Sequence, residues 1–194
     1  MNRVTLPDES KVFFTSDQHF DHRNVIRFNN RPFDDVKEMN DYLIDQWNDV
    51  VGPDDHIFVL GDFFWFSNHK AIRKIIRDLE GHIYLVPGNH DKPEAFDKSD
   101  VTVLDSISTL FTRGLEIVMS HYPLLTWTHK NWDNSINLFG HIHSKGWPYR
   151  EFDERLVTAL GKQLDVGVDA HAFSPISLDQ VLEELSAQTT PRPR

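Results

Sequence analysis

Three short apolar runs alternate with two amphipathic stretches over the first ninety residues, and this alternation narrows the folds open to the chain more than any other feature. Val12-Phe13-Phe14-Thr15, Ile57-Phe58-Val59-Leu60 and Ile83-Tyr84-Leu85-Val86 are β-branched and aromatic runs of strand length. Between the first two, Val36, Met39, Leu43, Trp47 and Val50 recur at spacings of three and four. That spacing predicts a helix capped by Asp34 or Asp35 and stopped by Gly52-Pro53. Between the second and third, Ala71, Ile72, Ile75, Ile76 and Leu79 predict another helix, closed by Gly81. Strand, helix, strand, helix, strand implies parallel strands joined by right-handed crossovers, the signature of an α/β fold.

The second half is richer in strands, with candidates at Val101–Leu104, Leu115–Met119, Ile136–Phe139 and Leu164–Val168. A last helix opens at Ser177, where Gln180 completes a capping box, and carries Val181, Leu182 and Leu185. No repeat or linker divides the 194 residues, so one domain over 1–188 is expected, with 189–194 a frayed tail. Two long aromatic loops stand out, 124–134 and 144–161.

Composition removes several function classes. The chain has no cysteine, which excludes a disulfide framework, a thiolate metal site and a cysteine nucleophile. Its apolar runs are too short to span a bilayer, and Met1 to Lys11 lacks the apolar segment of a signal peptide, so a cytoplasmic protein is expected. The net charge of −10 disfavours tracking along a long nucleic-acid backbone and suits a small phosphate substrate better.

Polar residues collect where the apolar runs end. Asp17 and His19 follow the first run, Asp62 the second, and Asn89, His90 and Asp91 the third. His121 follows Leu115–Met119, and His141 and His143 follow Ile136–Phe139. Ligands bind at the carboxyl ends of strands in open α/β sheets. Alone, His19 reads as a surface imidazole and Asn89 as a turn residue; together, seven oxygen and nitrogen donors are about what two cations sharing one carboxylate require. On an extended backbone, residues two apart share a face, which would let Asp17 and His19 grip one ion and place His141 beside His143. Mixed imidazole and carboxylate donors suit Mn²⁺, Fe, Zn²⁺ or Ni²⁺, with manganese the first expectation.

Asp17-Gln18-His19, Gly61-Asp62, Gly88-Asn89-His90-Asp91, His121 and Gly140-His141-Ile142-His143 resemble, in order, the five motifs of the calcineurin-like metallophosphoesterase superfamily. Phe14-Thr15-Ser16-Asp17, His22, Arg31-Pro32-Phe33 and Val166-Gly167-Val168-Asp169 are similar to a compact bacterial and phage branch of it. The resemblance implies a four-layer α/β/β/α sandwich, a β-sandwich flanked by helices with metals at strand ends. It implies that Asp17, His19 and His143 hold one ion, that Asn89, His121 and His141 hold the other, and that Asp62 bridges them. His90 would ligate neither and would act as general acid, while a hydroxide between the ions attacks phosphorus. Phe63-Phe64-Trp65-Phe66 departs from the small or polar residues common after the bridging aspartate, which changes the expected shape of the substrate pocket.

The favoured activity is hydrolysis of a small phosphodiester. A phosphomonoesterase is the alternative, with a nuclease or a non-catalytic scaffold behind it. His22 and Arg31 are the candidate substrate contacts, and Arg23, Arg27 and Lys145 are further cations able to clamp a phosphate. Asp91 is placed to orient His90, and Asp169 to order a metal ligand. His56, His69 and His82 read as surface or core histidines. Trp127, His129, Trp132 and Trp147 read as packing beneath loops rather than as base-stacking residues.

Overall fold

The computed structural model describes residues 2–65, 69–144 and 162–187. Lys145, Trp147, Phe66, most of the 144–161 loop and the 189–194 tail lie outside the described residues.

The chain forms a four-layer α/β/β/α sandwich built on two five-stranded sheets. One contains β2 (Val12–Thr15), β3 (His56–Val59), β4 (His82–Leu85) and β5 (Val101–Val103), all parallel, with the short β10 (Ile176–Ser177) antiparallel on the β2 edge. The other contains β1 (Arg3–Thr5), β6 (Ile107–Thr112), β7 (Leu115–Ser120), β8 (Ser135–Phe139) and β9 (Gln163–Asp165), in that order. Among the described residues, its only antiparallel pair is β6–β7. Helices α1 (Arg23–Phe28), α2 (Val36–Asn48) and α3 (His69–Asp78) precede α4 (Leu178–Ala187), and Pro93–Phe96 makes a 3₁₀ turn. Among the described residues, no helix is long and apolar enough to cross a membrane.

The apolar runs divide cleanly between two cores, because successive side chains on a strand face opposite ways. Ile57, Val59, Ile83 and Leu85 meet Met39, Leu43 and Trp47 of α2 and Ile72, Ile75 and Ile76 of α3. Phe14, Phe58, Leu60 and Val86 meet Leu110, Ile117, Met119, Ile136 and Leu138 across the sandwich. Burial on both faces is why these strands read as unbroken apolar runs. Leu178 and Val181 bring α4 into the second core, beside β2 and β9.

The expected caps are present. Asp35 accepts from Lys37 N and Glu38 N at the start of α2. Ser177 and Gln180 bond reciprocally at the start of α4. Val50 falls beyond α2 and is exposed, and Val51 takes the buried place instead. The expected strand at Leu164–Val168 is split. Val166 N still bonds the Phe139 carbonyl in the sheet of β8, but Val168 N bonds the Ser16 carbonyl at the end of β2 in the other sheet. The chain thus passes from one sheet to the other just before Asp169.

Candidate metal centre

Each apolar strand gives way to a sharply turned loop at its carboxyl end. Asp17, His19, Asp62, His141 and His143 all take left-handed backbone conformations, with φ of 61°, 52°, 53°, 70° and 45°. The extended-backbone argument therefore fails for both pairs, Asp17 with His19 and His141 with His143. Asp17 and His19 converge because the chain turns, and His141 and His143 point to different clusters. Such conformations cost non-glycine residues about 1–3 kcal/mol each and persist only where the surroundings enforce them.

The enforcing contacts come from neighbouring loops. Asp91 does not reach back to orient His90. Its carboxylate accepts from the backbone N–H of Asp62 (2.7 Å), Gly88 (2.9 Å) and Phe63 (3.0 Å), stapling the 61–64 and 88–91 loops together. Asp17 Oδ2 accepts from His141 N at 2.8 Å, tying the β2 loop to the β8 loop across the two sheets. Close approach there depends on Gly140, where a Cβ would fall 1.9 Å from Ser16 Oγ and 2.5 Å from Asp17 Oδ2.

Two clusters result. Asp17, His19 and His143 bring ligand atoms within 4.8 Å of one another, and so do Asp62, His121 and His141. Asp62 Oδ2 lies 3.7 Å from His19 Nε2 and 3.4 Å from His121 Nε2, facing both groups. Asn89 Oδ1 is 3.1 Å from His121 Nε2, on the second cluster.

The chemistry of these atoms fits divalent cations. His143 Nδ1 is 2.7 Å from Asp169 Oδ2, which places its proton there and leaves the Nε2 lone pair facing inward. That Nε2 sits 3.3 Å from His19 Nε2 and 3.4 Å from Asp17 Oδ1, and the buried Asp17 Oδ1 accepts no hydrogen bond. His121 donates from Nδ1 to the Leu60 carbonyl at 2.8 Å, so its Nε2 lone pair faces Asp62 and Asn89. With His121 and His143 in these neutral tautomers, lone pairs converge in each cluster, an arrangement that a bound cation satisfies.

Electrostatics point the same way. Burial opposes charge on His121, but the hydrogen bond to Asp62 and the charges of Asp17 and Asp62 outweigh it and push the imidazole up to about 9. Burial likewise opposes charge on His143, yet Asp17 and Asp169 raise it. His19 goes the other way: burial, with His143 and Arg31 nearby, holds it well below the usual imidazole range and hence neutral. Metal-free, the pocket attracts protons to the positions a cation would otherwise serve.

Arg31, expected to contact substrate, has a different role. Its side chain is fully buried. It bonds both oxygens of Asp169 at 2.9 Å, the Gln18 carbonyl at 2.9 Å, the Asp17 carbonyl at 2.7 Å and the Met39 sulfur at 3.5 Å. Those contacts engage all five of its N–H groups, leaving none for a phosphate. Burial opposes charge on Asp169, but Arg31 and His143 hold its carboxyl far below the ordinary range. Arg31 thus anchors Asp169, which fixes His143.

His22 does reach the centre. It stacks on Trp65 with ring centroids 3.6 Å apart, and its ring lies 5.2 Å from that of His19. Both its ring nitrogens are buried without a hydrogen-bond partner, and burial, with His90 and Arg31 nearby, lowers its pKa to about 4. His90 packs on the same indole at 4.5 Å, with Nε2 3.8 Å from Asp62 Oδ2. Trp65, from the aromatic run after Asp62, therefore supplies a wall to the site. Arg23 and Arg27 are exposed on α1, which the polar 20–34 stretch gave no sign of. Trp127 packs under its loop and donates to Ser135 Oγ. His129 stacks on Trp132 and pairs with Glu116, at the opposite end of β7 from His121. Tyr122, which sequence reasoning passed over, bonds Asn89 Oδ1 through its hydroxyl at 3.1 Å; adjacency to His121 was its one signal.

No protein-family model matches the sequence. The uncharacterized protein MJ1445 of Methanocaldococcus jannaschii is 32% identical over 174 residues, spanning 89% of this chain and 90% of that one. The chain belongs to the MJ1445 family. The gene 66 protein of Mycobacterium phage L5 is 28% identical over 189 residues, spanning 83% of this chain and 87% of the phage protein. Among solved structures, a protein of unknown function from Aquifex aeolicus, AQ665, superposes with a TM-score of 0.68 at 25% identity, over 91% of this chain and all of that one. In this MJ1445-family chain, the sandwich and its two clusters resemble the calcineurin-like metallophosphoesterase superfamily.

Proposed function

We propose that the chain is a phosphodiesterase dependent on two divalent ions, manganese first among them, acting on a small diester. The carrying observation is the pair of three-residue clusters facing Asp62 Oδ2 from either side, with His90 Nε2 3.8 Å from that same oxygen. Asp17, His19 and His143 would hold one ion, Asn89, His121 and His141 the other, with Asp62 shared. When bound, the ions supply the Lewis acidity that activates water and offsets charge on the phosphate oxygens.

The protein's own groups do the rest. Asp169 keeps the His143 proton on Nδ1, and the Leu60 carbonyl does the same for His121, so both present Nε2 lone pairs. His90, part-exposed and steadied against Trp65, is placed to protonate the leaving oxygen. His22 stacks on the same wall with its ring 5.2 Å from that of His19, and that proximity supports its reading as a substrate contact. A monoester dianion carries more charge and calls for extra cations; the engagement of Arg31 inside the protein removes one and favours the diester.

The test is turnover of bis-p-nitrophenyl phosphate against p-nitrophenyl phosphate by the chain reconstituted with Mn²⁺, Ni²⁺, Zn²⁺ or Mg²⁺. Diester turnover should exceed monoester turnover. His90→Ala should lower kcat about 10²–10⁴-fold with both ions retained, whereas Asp62→Ala should lose metal and activity together. A monoester preference would move the assignment to a phosphomonoesterase, and metal loss in His90→Ala would overturn the division of roles.

A further inference from the structure

Tyr122 occupies the rim of the second cluster in a way that the metal and acid assignments leave unexplained. Half of the residue is exposed. Its ring nevertheless lies against His141, with centroids 4.4 Å apart, and meets His121 edge-on at 5.2 Å. Its hydroxyl is 3.1 Å from Asn89 Oδ1, the atom that also faces His121 Nε2. The phenol thus touches all three of the residues that, with Asp62, make up the second cluster. It touches none of the first cluster.

We infer that Tyr122 is a positioning residue for the second ion, holding the Asn89 carboxamide with its oxygen turned toward the cation; the inference rests on the dinuclear reading above. An asparagine amide presents an acceptor on one side and a donor on the other, and only the oxygen can meet a cation. Asn89 is exposed, so packing offers its side chain little confinement. A carboxamide oxygen has two lone-pair directions. Donation from the Tyr122 hydroxyl uses one and leaves the other directed at the space shared with His121 Nε2. The ring contact with His141 keeps the hydroxyl in place, which matters because an exposed phenol would otherwise lose freedom on making one bond. The device belongs to this site alone: His19 and His143 lie in the other cluster, where Asp169 and Arg31 perform the ordering from within the protein.

Tyr122→Phe tests this, because it keeps the ring on His141 and removes only the hydroxyl. Calorimetric titration of the metal-free protein with Mn²⁺ should resolve two sites, and in the variant the site that Asn89→Ala also removes should lose affinity about tenfold or more while the other stays within about twofold. Diester turnover should fall at limiting Mn²⁺ and recover at excess, a rescue that a purely structural lesion would not show. Melting of the metal-free variant should match the parent. Asn89→Ala separates the levels of the argument. If it abolishes the second site while Tyr122→Phe leaves both affinities unchanged, the role of Tyr122 is overturned and the dinuclear reading stands. If Asn89→Ala keeps two full-affinity sites, Asn89 is no ligand and the inference about Tyr122 falls, whereas a parent chain that binds a single ion would overturn the dinuclear reading itself.

Discussion

Among single side chains, the residues that ready the ligands carry as much of the design as the ligands do. Asp169 is the sharpest example, a buried carboxylate gripped by Arg31 on one side and bonded to His143 Nδ1 on the other. Asp169→Asn should weaken Mn²⁺ binding at the first cluster about 10–100-fold, because the amide no longer dictates which nitrogen of His143 carries the proton. Two-site calorimetry would register this, and unchanged affinity would show that His143 is readied without the Asp169 carboxylate. The ligand candidates were legible in the sequence because each follows an apolar run. Arg31 was misread because a cation beside a motif looks the same whether it faces a phosphate or a buried carboxylate. Only the partners distinguish the two, and they lie at positions 17, 18, 39 and 169.

The strands and helices show the same divide between local and distant information. β2, β3, β4, α2 and α3 were readable because each buries enough side chains to impose its period. β6 was not: Ser108, Thr109 and Thr112 are buried polar residues within it, so no alternation of apolar and polar marks the strand. β1 is a three-residue edge strand, and α1 has six residues with one buried, Val25, and no side-chain cap. What the elements position most exactly is the loop after β8. Gly140→Ala would drive a methyl group into Ser16 Oγ and Asp17 Oδ2. The variant is expected to bind one ion fewer, which metal analysis after gel filtration would count. Retention of two ions would mean that the β8 loop shifts without disturbing Asp17.

Over the whole molecule, the site couples protonation, metal and stability. His121 rises from the ordinary 6.5 to about 9 on folding, so its contribution to metal-free stability is complete below about 6.5 and is lost as pH climbs through 9. His143 shifts in the same direction. The urea midpoint of the metal-free chain should therefore fall between pH 6.5 and 9, a trend that His121→Asn should flatten. Mn²⁺ affinity should run the opposite way, strengthening about tenfold per pH unit up to about 9 as one proton is displaced. A flat affinity profile would contradict the charge environment assigned to His121. The proposed ligands are drawn from both layers: Asp17, His19, Asp62 and Asn89 follow strands of one sheet, and His121, His141 and His143 follow strands of the other. A cation gripped from both sides would work as a rivet through the sandwich. Pulled apart by tethers on β3 and β7, the loaded protein should yield at higher force than the chelated one, and equal forces would mean that the apolar interior alone keeps the layers together.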